Sequence, residues 1–191
     1  MKRASLLVLI MGLLLFVLGG LEAQEVNQEA YDNLITHYAA RNNFTAGTIS
    51  RGDIEKILTA GLRAPSASNR QPWHFTVVQN RDLSGRIVPN MPEGNILIVI
   101  SASGDGKTNA REILDCGLAT ENIYLAAQSL GYGSRIYTGP MDTINNRFKT
   151  ELGLPSGHSA VALVRVGRVE KIDATSAASS RKNLNDMVTY K

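Results

Sequence analysis

The stretch Leu62–Val78, LRAPSASNRQPWHFTVV, limits the fold more than any other part of this 191-residue chain. It lies between a helical pattern and the strand-like WHFTVVQ. Pro65 and Pro72 bracket Ser66, Ser68, Asn69, Arg70 and Gln71, and each proline biases the residue before it away from the helical region. A helix must therefore stop and a strand begin within this run, with a stiff polar loop between them. Trp73, the only tryptophan, opens the strand and reads as a core side chain that needs one acceptor for its indole N–H. A polar loop feeding a buried strand is a common seat for a small ligand. Ser and Asn in such a loop also serve ordinary turn chemistry by bonding nearby backbone. On the residues alone both readings stand.

The rest of the chain alternates helix and strand signals. Residues 24 to about 40 suit a helix, with Tyr31, Leu34, Ile35 and Tyr38 on one face. Ser50 caps a second helix, with Asp53 in the capping-box position and Ile54, Ile57 and Leu58 on its inner stripe. Trp73–Gln79 alternates like a half-buried strand, and Asn95–Ser101, NILIVIS, is continuously apolar like a central one. A long helix is expected from about Asn109 to Leu130, apolar nearly all round, so that it packs on a partner as well as on the core. Gly131 ends it. A shorter helix holds Ile144 and Phe148, and Ala160–Val169 is the last strong strand. The polar tail from Lys171 is expected to wander unless another surface holds it.

The N-terminus reads as a targeting segment. Lys2 and Arg3 precede an apolar run from Leu6 to Leu18, then Gly19, Gly20 and a small-residue cleavage site after Ala23, the plan of a secretory signal peptide. Residues 1–23 are thus expected to be removed and 24–191 to form one domain, exported to a periplasm or secreted. An uncleaved membrane anchor is the alternative, because the run with its flanks approaches spanning length. Loss of Lys2, Arg3 and Glu22 takes the formal net charge from +3 to +2. The basic residues are scattered, which gives nucleic-acid binding no support.

Other chemistries are weakly represented. Cys116, the only cysteine, lies in an apolar helical pattern and reads as a buried structural thiol. His37, His74 and His158 are far apart and follow no metal-ligand spacing, so no metal is expected. SASGDGKT, residues 101–108, follows a strand and precedes a helix like a phosphate-binding loop. The full pattern requires glycine where this chain has Ser101, so the segment reads as a mobile glycine loop.

APSASNRQPWHFTVV resembles the signature of the nitroreductase superfamily, the FMN-dependent reductases of nitro compounds and quinones. In the same order, DCGLATENIYLAAQSLGYGS resembles the family's long central helix and glycine turn. ELGLPSGHSAVALVRVGR is similar to its last core strand, and SSRKNLNDMV to the basic tail segment. The resemblance covers about Ser50 to the C-terminus. It implies an α+β fold of nitroreductase type, a central, mostly antiparallel sheet flanked by helices, with the long helix around Ala119–Leu130 at a homodimer interface.

The resemblance also implies a site. Ser66 would bond the FMN ribityl chain, Asn69 the polar edge of the isoalloxazine, and Gln71 the ribityl hydroxyls or the ring. The backbone at Thr138 and Gly139 would approach flavin N5. The family's early arginine-rich segment corresponds here to HYAARNNF, where only Arg41 remains, so Arg181 and Lys182 in the tail are expected to complete the phosphate anchor. No side chain stands out as a catalytic acid or base. Electrons would pass in two steps from a reductant through flavin N5 to a small nitroaromatic, quinone or similar acceptor. The alternative is a non-catalytic flavin-binding carrier or interaction module on the same fold.

Overall fold

The computed structural model describes residues 43–170 and 182–191. The expected targeting segment, the expected first helix, Arg41 and Arg181 lie outside the described residues. Among the described residues, no helix is long and apolar enough to cross a membrane.

Helix α1 (Arg51–Leu62) starts where expected, with the Ser50 hydroxyl accepting the Asp53 N–H at 3.1 Å. This cap satisfies one of the four N–H groups that a helix start leaves unpaired. Ile54, Ile57 and Gly61 turn inward. Two bonds tie α1 to later parts of the chain. Tyr132 Oη donates to Asp53 Oδ2 at 2.8 Å, and Asn122 Nδ2 donates to the Ala60 carbonyl at 3.0 Å.

The sheet contains β1 (Phe44–Thr45), β2 (His74–Val78), β3 (Ile96–Ser103), β4 (Gly133–Tyr137) and β5 (His158–Val169), and every pairing is antiparallel. β5 is its spine. β3 lies along one edge of β5, with β2 beyond it, while β4 and then β1 occupy the other edge. The expected α+β class and antiparallel sheet are therefore observed.

The continuous apolar run of β3 follows from burial on both faces. Ile96, Ile98, Ile100 and Ala102 pack with Ile57 of α1 and with Ala119 and Ile123 of α3 (Ala110–Ser129). Leu97 and Val99 join Val78, Ile87, Met141, Ile144 and Phe148 on the opposite side. That second layer comes from α2 (Arg81–Ile87) and from α4 (Met141–Thr143), which continues into a π turn, Ile144–Phe148. Helix α2 was not anticipated, because seven residues containing Gly85 carry little periodicity. Its cap was the available signal, since Asn80 Oδ1 accepts the Leu83 N–H at 2.9 Å.

The β3–β5 ladder shifts register between Ile100 and Ser101. The backbone of Ala160 at this bulge is satisfied by Asn145, whose Nδ2 donates to the Ala160 carbonyl at 3.0 Å and whose Oδ1 accepts its N–H at 2.7 Å. Bulges leave ladder groups unpaired, and buried backbone groups need partners. Towards the other end of the sheet Arg165 is 7% exposed. Its guanidinium donates twice to Asn95 Oδ1, at 3.1 and 2.9 Å, and lies 3.9 Å over the Phe44 ring. Asn95 Nδ2 in turn donates to the Thr45 carbonyl at 2.8 Å, fastening β1. Burial pushes the Arg165 pKa down from its ordinary value.

In helix α3, Ala119, Thr120, Ile123, Ala127 and Gln128 are buried against the chain's own core, while the rest of Ala119–Leu130 is half-buried or exposed. Two further outward apolar residues lie nearer the N-terminus, Leu114 and Leu118, which are 63% and 37% exposed. Helical periodicity places 115, 119 and 123 on one side and 114 and 118 on the next. The helix closes with a Schellman motif at Gly131, φ 82°, where Tyr132 N–H bonds Ala127 O and Gly131 N–H bonds Gln128 O. The tail holds a short helix, α5 (Leu184–Met187), where the polar composition suggested only a wandering segment.

Candidate functional site

The strand register brings the sequence-predicted loops to one end of the sheet. His74 at the start of β2 pairs with Ser101, and Ser101 pairs with Ala160 near the start of β5. β4 ends at Tyr137, opposite Leu163 of β5. The Ser66–Gln71 loop enters β2 and the Thr138–Gly139 turn leaves β4 at this same end, from strands on either side of the β3–β5 pair. The glycine loop after β3 emerges between them.

The first loop is a short 3-10 turn, Ala67–Asn69, in an unusual backbone conformation. Ser68, Asn69 and Gln71 all have positive φ, 55°, 54° and 47°. Residues with a Cβ rarely occupy this left-handed region, and they do so where surrounding contacts over-determine it. Inside the loop Ser66 Oγ accepts the Gln71 N–H at 3.0 Å, and Gln71 Nε2 donates to Asn69 Oδ1 at 3.2 Å. Ser66 is half-buried, whereas Asn69 and Gln71 are exposed. Ser66, Asn69 and Gln71 thus form one hydrogen-bonded group at the surface. Trp73 is 8% exposed and stacks on Phe75 at 6.4 Å, as expected of a core residue.

The second loop is open. Thr138 O accepts the Met141 N–H at 3.2 Å, and a Cβ placed on Gly139 would meet no atom within 4 Å. Lys182 is exposed, and it makes no hydrogen bond or ion pair among the described residues. The structure thus gathers Ser66, Asn69 and Gln71, places Thr138 and Gly139 at the same sheet end, and does not join Lys182 to them.

Three neighbouring features complete the picture. The expected mobile glycine loop is tied in the structure. Asp105 Oδ1 accepts the N–H groups of Lys107 and Thr108 at 2.7 and 2.9 Å, which holds its carboxyl below the usual range. Lys107 Nζ bonds Asp142 at 2.7 Å. His74 and His158, far apart in sequence, meet edge to face with ring centroids 6.3 Å apart, and His158 Nδ1 lies 3.4 Å from Ser101 Oγ. Among the described residues no group of three or more His, Cys, Asp and Glu could hold a metal. Cys116 is buried, and desolvation pushes its thiol up to about 12.

The residue that sequence reasoning missed is Asp115. It lies beneath the first loop, 3% exposed, and its Oδ1 accepts the Ala67 N–H at 3.1 Å. A signal existed, because Asp115 shares the buried stripe of Ala119 and Ile123 at helical spacing. A carboxylate on a core stripe must have a polar partner.

The Nitroreductase family's sequence model matches residues 35–95 and 84–168. The chain belongs to the nitroreductase family. An Archaeoglobus fulgidus protein, provisionally named an NADH dehydrogenase/NAD(P)H nitroreductase, is 38% identical over 129 residues, covering 62% of this chain and 74% of that one. Among solved structures, a Desulfitobacterium hafniense nitroreductase with bound FMN superposes with a TM-score of 0.66 at 22% identity, covering 85% of this chain and 97% of that one. A Bacteroides fragilis nitroreductase with bound FMN gives the same TM-score and identity, covering 85% and 98%. At such identity these structures establish the fold.

Proposed function

We propose that this chain is an FMN-dependent oxidoreductase that transfers electrons in two steps, from a reductant to a small nitroaromatic, quinone or similar acceptor. The observation that carries the reading is the placement, at one sheet end, of a strained polar loop and an open glycine turn. The relatives' names add support, since FMN is bound in two of the structural neighbours and NAD(P)H figures in the name of the Archaeoglobus relative.

The donor set suits a flavin. Gln71 Nε2 engages Asn69 Oδ1, which leaves Asn69 Nδ2 as a donor and Gln71 Oε1 as an acceptor for the edge of a planar heterocycle. Ser66, half-buried in the same loop, is assigned to a ribityl hydroxyl. At Gly139 no side chain stands between backbone and ligand, so Thr138 and Gly139 amides can approach a ring closely. Bound FMN would supply the electron-carrying chemistry, and the residues named here would bind and orient it. Arg41, Arg181 and Lys182 are the cations assigned to its phosphate.

The proposed assembly is a homodimer through α3, with the outward side of Ala119–Leu130 and the exposed Leu114 and Leu118 at the contact. The proposed location is outside the cytoplasm after cleavage at Ala23, supported by the charged start and apolar run; a retained anchor is the alternative. An electron donor of the cell envelope would then replace cytosolic NAD(P)H.

The test is the visible spectrum of the purified protein during gel filtration, with and without added FMN. A flavin spectrum travelling with a dimer-sized peak, reduced by dithionite and reoxidised faster by a quinone than by air, is the expected result. Retained flavin that no acceptor reoxidises would favour the carrier reading, which the sparse arginines of HYAARNNF support. A protein that takes up no FMN would overturn both.

A further inference from the structure

We propose that Asp115 is a positioning residue for the cofactor loop. Its buried carboxylate holds the Ala67 amide and so fixes the left-handed backbone through Asn69 and Gln71. This rests on the flavin reading of the loop given above.

The loop's other backbone bonds are local. Asn69 N–H bonds Ser66 O, Arg70 N–H bonds Ala67 O, and Gln71 N–H bonds Ser66 Oγ. Such bonds shape the loop but do not locate it, because none of them joins residues 66–71 to another element, and without an outside anchor they hold the strained backbone only weakly. Among the described residues, the Ala67–Asp115 bond is the one hydrogen bond joining residues 66–71 to the rest of the fold, across 48 positions of sequence. It reaches the first residue of the 3-10 turn, immediately before the positive-φ positions. Three such residues in four are held only where a contact outside the segment constrains them.

A second observation separates Asp115 from an ordinary core carboxylate. Its Oδ2 is buried and has no hydrogen-bond partner among the described residues. A group kept for fold stability has its polar atoms satisfied, because an unmet buried acceptor is destabilising. Asp115 meets one need, the acceptor for Ala67, and is otherwise poorly suited to its place on the core stripe. Its worth to the protein therefore lies in the loop.

The experiment compares the parent protein with Asp115→Asn, Asp115→Leu and Ala67→Pro. Asn retains a carbonyl acceptor and Leu removes it. Pro deletes the donor while leaving Asp115 intact, and the extended Ser66, φ −143° and ψ 152°, tolerates a following proline. Hydrogen–deuterium exchange over residues 63–72 is measured without cofactor, FMN affinity by flavin fluorescence, and the thermal midpoint alongside. Expected for Leu and Pro is exchange faster by about tenfold or more and FMN affinity weaker by about tenfold or more, with no fall in midpoint large enough to account for either. Asn should stay within about threefold of the parent in both. Parent-like exchange and affinity in Leu and Pro would overturn the proposal, as would an Asn variant as impaired as Leu. Should Leu fail to fold, Pro decides. A parent that binds no FMN would refute the cofactor reading, and the exchange measurement would then decide the anchoring by itself.

Discussion

Asn145 grips the backbone of Ala160 from both sides, its amide nitrogen on the carbonyl at 3.0 Å and its amide oxygen on the N–H at 2.7 Å. The π turn carrying Asn145 thereby serves as a substitute strand where the β3–β5 ladder shifts. Replacing Asn145 by Ala would strand two backbone groups, and about 2–4 kcal/mol of stability is expected to be lost. Urea unfolding of the two proteins measures it. A loss below about 1 kcal/mol would mean that water replaces the clamp.

Two glycines of α1 predict opposite signs. A Cβ at Gly52 would meet nothing within 4 Å, while one at Gly61 would lie 2.7 Å from Ile123 Cγ1 and 3.1 Å from Phe75 Cε2. Gly52→Ala gains helix propensity with no clash and should stabilise by about 0.5–1 kcal/mol. Gly61→Ala forces α1 off α3 and should destabilise by about 1–3 kcal/mol, the usual range for overpacking. Thermal midpoints of the pair, moving in opposite directions, check the packing of α1 on α3.

Acid sensitivity is expected from Asp53. The Tyr132 hydroxyl, then Ser50 and Lys56, hold its carboxyl below the ordinary value of 3.8. A depressed folded-state value gives stabilisation that is complete above the unfolded value and disappears as pH falls through the folded one. Tyr132→Phe should therefore show a shallower loss of stability than the parent between about pH 5 and about pH 2. Identical slopes would remove Tyr132 from the account.

Cys116 offers a probe of opening. A fully buried thiol pushed up to about 12 supplies almost no thiolate near neutrality. Alkylation at pH 8 is expected to be slow in the native protein and to become rapid only with unfolding. Fast labelling of the folded protein would show that α3 parts readily from the sheet.

Much of this molecule was legible beforehand because its signals are local. The Ser50 cap, the run Ile96–Ile100, the Gly131 stop and the prolines around Ser66–Gln71 each act within a few residues, and each appears where periodicity and turn chemistry put it. What stayed hidden depends on pairing across sequence. Asp115 reads as one polar residue in a helix until Ala67 arrives from 48 positions away. The meeting of His74 with His158 needs the strand order, and so does the Asn95–Arg165–Phe44 contact. The inward and outward faces of α3 could not be told apart because an alanine-rich helix is apolar nearly all round, and only the core decides which side is in. For the candidate site, Ser66, Asn69 and Gln71 were readable as a group, whereas the convergence of their loop with Gly139 required the register of β2, β3, β4 and β5.

The spine position of β5 has a consequence for the order of events during synthesis. β1, β3 and β4 all pair with residues 158–169, which are synthesised after all three. Until then the nascent chain can assemble only the β2–β3 ladder, and a lone two-stranded ladder is marginal in water. The chain's own topology thus withholds the complete sheet until β5 has been made, and three pairings then close on a single strand.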